Sequence, residues 1–272
     1  MASVIITAGF DKAKNAIAIA ELLSRQSADI KGIIVVNPFN LKRLQSYLRQ
    51  RGRSFLFQAL KRLSGQDKKP FHDAVLELFK REAISYNSLK TWAQDHNVAY
   101  HLINSLNSSE CLGILANQAP DWVVYGGGGI LRKKFIEATK GRILNAHAGP
   151  LPEVRGMNAV EWSLLLGYPP HITVHLIDRG IDTGGIIKQY PIPVFPQDDI
   201  ESLRSRSTAI GIEALCQTVL EAPAQLPKGI KPVSRQCYVL APALKELLEK
   251  RLEHGLIPLN KVDANEPPLE KI

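Results

Sequence analysis

The chain has 272 residues, a length that predicts one large domain or two small ones and allows a substantial core to be buried. Its charged content of 22% and hydrophobic content of 45% are ordinary for a globular protein and exclude a chain that is disordered throughout. The net charge is +8, and no stretch approaches the roughly 20 unbroken apolar residues that a membrane-spanning helix requires.

The amino-terminal residues predict a β-α-β unit. A short apolar run, Val4–Ile6, predicts a first strand rather than a signal peptide, because no basic region and no long hydrophobic region accompany it. Helical periodicity follows through Ala16, Ile19 and Leu23, and the β-branched run 32–36 predicts a second strand. This order implies parallel strands joined by a right-handed crossover.

The segment 37–92 carries twelve basic and four acidic side chains, so it accounts for the whole net charge. Three apolar sets at helical spacing, separated by Gly52, Gly65 and Pro70, predict a helical insert after the second strand. The sets are Leu41, Leu44 and Leu48, then Leu56, Leu60 and Leu63, then Phe71, Val75, Leu78 and Phe79. Two interpretations stay open: a solvated basic face, or a surface that attracts phosphate, an acidic protein or a membrane.

The α/β pattern resumes after the insert. The predicted helices are 88–96, 108–117, 132–139 and 157–166, and the predicted strands are 98–102, 122–125, 143–147, 172–177 and 186–194. The last two strands are joined by a short polar turn, which predicts an antiparallel pair attached to a parallel sheet. A long helix capped by Asp198 or Asp199 runs to about residue 221, and a final helix spans 243–253.

The fold class predicted from this pattern is α/β. We expect a Rossmann-like, mostly parallel twisted sheet with helices on both faces, an added antiparallel strand pair and a helical insert after strand two. The tail from Asp263, with two adjacent prolines, is expected to be frayed.

Two polar residues mark the end of the fifth predicted strand. Asn145 and His147 alternate there, so their side chains point to the same side of the sheet. Open α/β sheets bind ligands at this edge, and Asn and His are poor core material unless their hydrogen bonds are satisfied. The loop that follows contains Gly149, Pro152 and Gly156, which fix an unusual backbone path. The block predicts a functional site.

A second block, the polar turn between the last two strands, contains closely spaced glycines and the aspartates Asp178 and Asp182. Such a turn brings a carboxylate close to a ligand, or uses it to cap backbone N–H groups in a hairpin. We interpret Asp178 mainly as a capping residue and Asp182 as the functional carboxylate.

Together, the two blocks resemble the formyltransferase family, which includes glycinamide-ribonucleotide, methionyl-tRNA and nucleotide-sugar formyltransferases. The matching motifs are Asn145-Ala146-His147, Leu151-Pro152, Gly156, Thr173-Val174-His175 and Asp178–Gly184. The resemblance extends more weakly from Val4 to about Thr218. It implies a one-carbon transferase that moves a formyl group from N10-formyltetrahydrofolate to a primary amine through a tetrahedral intermediate.

The resemblance implies catalytic roles for three residues. Asn145 would donate a hydrogen bond to the oxyanion, and His147 would stabilise its charge and exchange protons with the reacting nitrogens. Asp182 would orient and charge His147, and would relay the amine's proton through water.

The resemblance also implies the folate site, against the loop after the strand that holds Tyr125. The implied cofactor-binding residues are Gly128, Gly129, Ile130, Leu131, Asp178 and Ile181. The run Gly126–Gly129 stands where the family often has bulkier residues, and it permits an alternative as a dinucleotide-type phosphate cradle. That alternative is disfavoured because the glycines lack the spacing of the dinucleotide fingerprint, and no acidic residue ends a following strand about 20 residues later.

Three further residues are predicted to contact the substrate: Arg155, Gly156 and His175. Arg155 either contacts a phosphate or forms a salt bridge within its loop, and His175 either shapes the site or is a structural histidine. No metal site is predicted, and the separated cysteines form no disulfide set, which favours a cytoplasmic location. These cysteines are Cys111, Cys216 and Cys237.

The predicted acceptor is an amino sugar on a nucleotide, or another small or carrier-linked amine. The Thr-Gly pair after Asp182 resembles the tRNA and sugar branches more than the purine branch. Only about 50 residues follow the long helix, fewer than the tRNA branch normally has, so a nucleic acid is not favoured although the basic insert would suit one.

By this reading, residues 1–222 form the catalytic domain, with the insert at about 37–92, and residues 223–272 form a linker, a helix and the tail. A homodimer is left open. Two other functions remain as alternatives: a hydrolase that releases formate from the same folate, and a non-catalytic module whose insert recruits a partner.

Overall fold

The computed structural model describes residues 2–38, 71–223 and 225–257. The strands are β1 (Ser3–Ala8), β2 (Asp29–Val36), β3 (Ala99–Ile103), β4 (Trp122–Gly126), β5 (Ile143–His147), β6 (His171–Leu176) and β7 (Ile186–Pro191). The helices are α1 (Lys14–Arg25), α2 (Ala74–Arg81), α3 (Leu89–Asp95), α4 (Ser109–Gln118), α5 (Lys133–Ala138), α6 (Ala159–Leu166), α7 (Ile200–Glu221) and α8 (Pro242–Glu253). None of these described helices is both long and apolar enough to cross a membrane.

The seven strands form one sheet in the order β3-β2-β1-β4-β5-β6-β7. The strands from β3 to β5 in this order are parallel, and β6 is antiparallel to both of its neighbours. The chain therefore builds outward from β1 to β3 and then returns to place β4 beside β1. Ligands of open α/β sheets bind where the strand order reverses in this way. The mostly parallel sheet with an antiparallel addition is as predicted.

Helices cover both faces of the sheet, also as predicted. The alternation along β1 shows why, since Val4 and Ile6 belong to one hydrophobic core and Ile5 to the other. The larger core includes residues of α1, α2, α3, α6, α7 and α8, with Trp92 fully buried in it. The smaller core includes residues of α4 and α5, with Phe135 fully buried in it.

Every helix and strand predicted within the described residues is present, with ends shifted by a few positions. The third predicted helix of the insert is α2, and the other two lie outside the described residues, as does the predicted frayed tail. Asp199 rather than Asp198 caps α7, because its carboxylate accepts from Ser202 N–H while the Ser202 hydroxyl accepts from Asp199 N–H.

The early end of β7 and the late start of α6 have structural causes. The strand β7 ends at Pro191 rather than at residue 194, because Pro191 and Pro193 have no N–H to donate to a ladder. The helix α6 begins at Ala159 rather than at Met157, because Asn158 has a left-handed φ of 51° and so cannot continue the helix backward.

The glycine run after β4 lies at the reversal of strand order. A Cβ on Gly126 would be 2.5 Å from Thr7 O on β1, and a Cβ on Gly128 would be 2.5 Å from Leu106 Cδ1. The φ angles of Gly127–Gly129 are 124°, 126° and 105°, a region that side chains rarely adopt. Close packing at Gly126 and Gly128 and the positive φ angles of Gly127–Gly129 therefore favour glycine along the run, whose backbone lies at the ligand-binding edge.

Two alanine substitutions test this packing. We expect Gly128→Ala to lower the free energy of unfolding by about 1–3 kcal/mol, because alanine would be held at a strained φ. The control is Gly113→Ala in α4, where nothing lies within 4 Å of an added Cβ, and it should raise the free energy of unfolding by about 0.5–1 kcal/mol. Urea denaturation of both variants measures the difference, and equal midpoints would contradict the packing argument.

Candidate active site

The end of β5 places Asn145 and His147 on one side of the sheet, as their spacing predicts. Their ladder partners on β6 are His175, opposite Asn145, and Thr173, opposite His147. Four polar side chains therefore meet on this side of the strand pair, and three of them, His147, Thr173 and His175, are buried. Polar groups at such a position require hydrogen-bond partners, and each of the four has one.

Asp182 reaches this group from the turn between β6 and β7. Its Oδ2 lies 3.5 Å from His147 Nδ1, and its Oδ1 lies 3.7 Å from His175 Nε2. The N–H of Gly156 donates to the same Oδ2 at 2.8 Å. The three residues predicted to be catalytic, Asn145, His147 and Asp182, are thus brought together in the structure.

The turn holds Asp182 in an unusual conformation, with a φ of 53°. A left-handed φ is uncommon for residues other than glycine, although Asp and Asn tolerate it better than most. The Asp178 carboxylate supports the turn from inside, accepting from Gly180 N–H at 2.9 Å and from the Thr183 hydroxyl at 2.6 Å. This is the capping role expected for Asp178.

His147 has a partner at each of its two ring nitrogens. Nε2 lies 2.9 Å from the carbonyl oxygen of Val154, so it carries a proton and donates, and Nδ1 faces the Asp182 carboxylate. The ring is only 7% exposed, and it stands behind Asp182 rather than in the wall of the cavity described below.

His175 fixes the amide of Asn145. Its Nδ1 donates to Leu176 O at 2.7 Å, so its Nε2 is an acceptor for the Asn145 amide N–H, at 3.0 Å. Burial, with the nearby His147 charge, lowers the pKa of His175 to about 4, although Asp182 opposes the shift. A neutral His175 thus directs the amide nitrogen of Asn145 toward itself and leaves the second amide N–H for another acceptor.

A cavity of about 310 Å³ opens in front of these side chains. Five of the six residues predicted to bind folate line it, and the sixth, Gly128, lies beneath, packed against Leu106. Ile130 and Ile181 are exposed at the cavity, with 77% and 38% of their surface accessible. The lining residues are Tyr125, Gly129, Ile130, Leu131, Asn145, His175, Ile177, Asp178, Arg179, Gly180, Ile181 and Asp182.

A second, smaller cavity of about 170 Å³ lies against the alternate residues of the same strand end, Ala146 and Ala148. Its other polar walls are Asn15 of α1 and Ser207 and Thr208 of α7, and no described charged side chain lines it. Tyr125 lines both cavities. The end of β5 therefore separates two spaces that share one aromatic wall.

Arg155 and Gly156 occupy the loop after β5, as predicted. The Arg155 guanidinium donates to backbone carbonyls: Nη1 to Ile181 O at 3.1 Å, and Nε and Nη2 to Ser234 O at 3.4 and 3.3 Å. Among the described residues it forms no salt bridge, one of the two contacts considered from the sequence, and the phosphate contact stays a prediction. Gly156 contacts Asp182 through its N–H.

Sequence reasoning missed the residues that shape this loop. The Thr173 hydroxyl donates to Gly149 O at 2.7 Å and accepts from Leu151 N–H, and the Gln189 amide donates to Leu151 O at 2.9 Å. A signal for Thr173 was present, because it alternates with His175 as Asn145 does with His147. Gln189 and the serine at 234 gave no such signal. Among the described residues, no group of His, Cys, Asp and Glu side chains has the arrangement of a metal site.

Comparison with known proteins shows consistent similarities. Residues 5–219 match the family model described as formyl transferase. A methionyl-tRNA formyltransferase from Trichlorobacter lovleyi is 32% identical over 177 residues, covering 64% of this chain and 53% of that protein. A phosphoribosylglycinamide formyltransferase from Haemophilus influenzae is 35% identical over 107 residues, covering 38% of this chain and 50% of that protein. The chain spans about half the length of these curated relatives.

Solved structures show the same fold. A sugar N-formyltransferase from a Shewanella species aligns with a TM-score of 0.54 and 15% identity, over 93% of this chain and 88% of that chain. A glycinamide ribonucleotide transformylase from Symbiobacterium toebii aligns with a TM-score of 0.54 and 19% identity, over 85% of this chain and 95% of that chain. The predicted Rossmann-like α/β class is confirmed.

The neutral state of His175 should make folding depend on pH. Its folded pKa of about 4 lies below the ordinary value of 6.5, so between these values the unfolded chain binds a proton that the folded protein does not. This proton binding lowers the free energy of unfolding. The loss is absent above pH 6.5 and grows as the pH falls toward 4, to at most about 3 kcal/mol.

The measurement is the free energy of unfolding across this window for the wild type and for His175→Gln. The variant lacks the titrating group, so its stability should fall less steeply on acidification. Parallel slopes for the two proteins would show that His175 does not titrate in this range.

Proposed function

Because the chain belongs to the formyl transferase family, whose model matches residues 5–219, we propose that it transfers a formyl group from N10-formyltetrahydrofolate to a primary amine. The observation that carries this proposal is the meeting of Asn145, His175 and Asp182 in the wall of one cavity, with His147 directly behind Asp182. An amide donor and a carboxylate–imidazole pair suit a developing oxyanion and a departing amine proton. The proposed catalytic unit spans residues 1–222.

The larger cavity is the proposed folate site. Its volume of about 310 Å³ falls within the range of roughly 300–1,000 Å³ that is usual for small-molecule sites. Residues 129–131 and 178–181 line it, and Ile130 and Ile181 add apolar surface suited to a flat ring. The folate bound there supplies the activated one-carbon group.

Asn145 acts on the oxygen of the attacked formyl group. One of its amide N–H groups is committed to His175, and the other has no hydrogen-bond partner among the described residues. In the proposed mechanism the second N–H donates to the oxyanion that forms as the amine nitrogen bonds to the formyl carbon. His175 acts on this step only by fixing the orientation of the amide.

Asp182 and His147 are the proposed groups for charge stabilisation and proton transfer. His147 Nδ1 lies 3.5 Å from Asp182 Oδ2, and we propose that Asp182 orients this ring and stabilises the imidazolium that balances the oxyanion. In the proposed mechanism Asp182 accepts the amine's proton through water. The bond from the formyl carbon to N10 then breaks, and N10 takes up a proton, so the proton lost by the amine is balanced.

The smaller cavity is the proposed acceptor side. It lies across the end of β5 from the folate site, and Asn15, Ser207 and Thr208 give it polar, uncharged walls. Its volume of about 170 Å³ suits a small amine-bearing group. We therefore keep an amino sugar nucleotide, or another small or carrier-linked amine, as the proposed acceptor, and Gly156 and His175 remain proposed neighbours of the substrate.

The acceptor is tested with a panel of amines. The full chain is incubated with N10-formyltetrahydrofolate and, separately, an amino sugar nucleotide, glycinamide ribonucleotide, methionyl-tRNA or no amine. Formylated product and free formate are measured by mass spectrometry. We expect formylation of the amino sugar. Transfer only to methionyl-tRNA would overturn the acceptor, and formate release without an amine would favour the hydrolase.

Near-isosteric variants test the residue roles. Asn145→Asp, His147→Asn and Asp182→Asn should each lower kcat/KM by at least about 100-fold, because each removes a donor or a charge used at the oxyanion. Asp182→Asn is the sharpest of these, since Asn tolerates the left-handed φ of 53° and still accepts from Gly156 N–H.

The control is Asp121→Asn, a surface aspartate that pairs with Ser3 at the far end of β1. It should keep wild-type turnover. Circular dichroism verifies that each variant is folded. Turnover of Asp182→Asn within about twofold of the wild type would remove Asp182 from the mechanism.

A further inference from the structure

The turn that carries Asp182 is held by hydrogen bonds to the carbonyl oxygens of the two residues that flank it, Ile181 and Thr183. On one side, Ile181 O accepts from Arg155 Nη1 at 3.1 Å. On the other side, Thr183 O accepts from the N–H of Ile230 at 2.8 Å. A residue at a φ of 53° persists only where the surroundings enforce it, so these two bonds determine where the carboxylate stands.

Both bonds lead to the same segment, residues 225–241, which we call the C-terminal strap. Ile230 belongs to it, and the Arg155 guanidinium is fixed to it by two bonds to Ser234 O. The backbone joins as well, since Cys237 N–H donates to Arg155 O at 2.7 Å and Met157 N–H donates to Cys237 O at 3.0 Å.

The strap also fixes the second contact of the carboxylate. Gly156, whose N–H donates to Asp182, packs directly on the strap, and a Cβ there would lie 2.2 Å from Cys237 O. A Cβ on Gly185, at the other end of the turn, would lie 2.2 Å from Pro227 O. The strap therefore touches the turn and the loop after β5, the two segments that meet at Asp182.

The strap lies beyond residue 219, where the match to the family model ends. We infer that Arg155 is a positioning residue, which couples the strap to the turn and so holds the Asp182 carboxylate against His147; its effect on turnover rests on the proposed function. The guanidinium donates three hydrogen bonds to carbonyl oxygens, so in this inference it positions the turn rather than binding substrate. A displacement of about 1 Å at a reacting group lowers rates by about 100-fold.

The test compares Arg155→Ala with Arg235→Ala, an exposed arginine of the same strap whose side chain has no hydrogen bond or ion pair among the described residues. We expect Arg155→Ala to lower kcat by roughly 10- to 100-fold while the KM values for folate and acceptor stay near wild type. Arg155→Lys, which keeps the charge and can reach one carbonyl, should recover part of the loss. Arg235→Ala should behave as wild type.

A second measurement does not depend on turnover. Amide hydrogen exchange in the peptide covering 178–185 should be at least about tenfold faster in Arg155→Ala than in Arg235→Ala, because the turn loses its outer bond. If Arg155→Ala does not fold, Arg155→Lys is measured in its place against the same control.

Three results would overturn the inference: equal kcat for Arg155→Ala and Arg235→Ala, a raised acceptor KM with unchanged kcat, or unchanged exchange in the turn. If the wild type itself transfers no formyl group to any amine, the proposed function fails. The exchange comparison then decides the positioning role by itself.

Discussion

A largely buried carboxylate needs donors on several sides, and Asp182, whose side chain is 16% exposed, is the point at which this molecule meets that requirement. His147 faces one of its oxygens, His175 lies near the other, and the Gly156 N–H completes the set. Each partner comes from a different element: the end of β5, the strand β6 and the loop between β5 and α6. The electrostatic requirement of one side chain thus fixes how three segments are arranged.

The two histidines near this carboxylate have different partners. His147 donates from Nε2 to a carbonyl and turns Nδ1 toward the carboxylate. His175 must accept from Asn145, and its burial keeps it neutral. Protonation of His175 would present a donor to the Asn145 nitrogen and force the amide to turn. The low pKa of His175 therefore helps to determine the orientation of the Asn145 amide.

Most of the sheet and the meeting of Asn145, His147 and Asp182 could be predicted from the sequence, because local periodicity and a strand-end motif report them. The roles of Arg155 and Gln189 could not. Their partners, Ser234 and Leu151, are backbone carbonyls distant in sequence, and side-chain identity carries no information about such pairings. The prolines of β7 indicate its early end, but the apolar run there favours a longer strand, and the prediction followed the run. The close packing around the glycine run involves residues distant in sequence, so the run itself does not indicate it.

The end of β5 has one cavity against each of its two faces, and Tyr125 borders both. Under the proposed function, donor and acceptor approach the same carbon from opposite sides of a single strand. Among the residues that line the two spaces, none is a cysteine or lysine that would carry the formyl group between them. Both substrates must then be bound together before reaction, so steady-state kinetics should be sequential, with intersecting rather than parallel double-reciprocal lines.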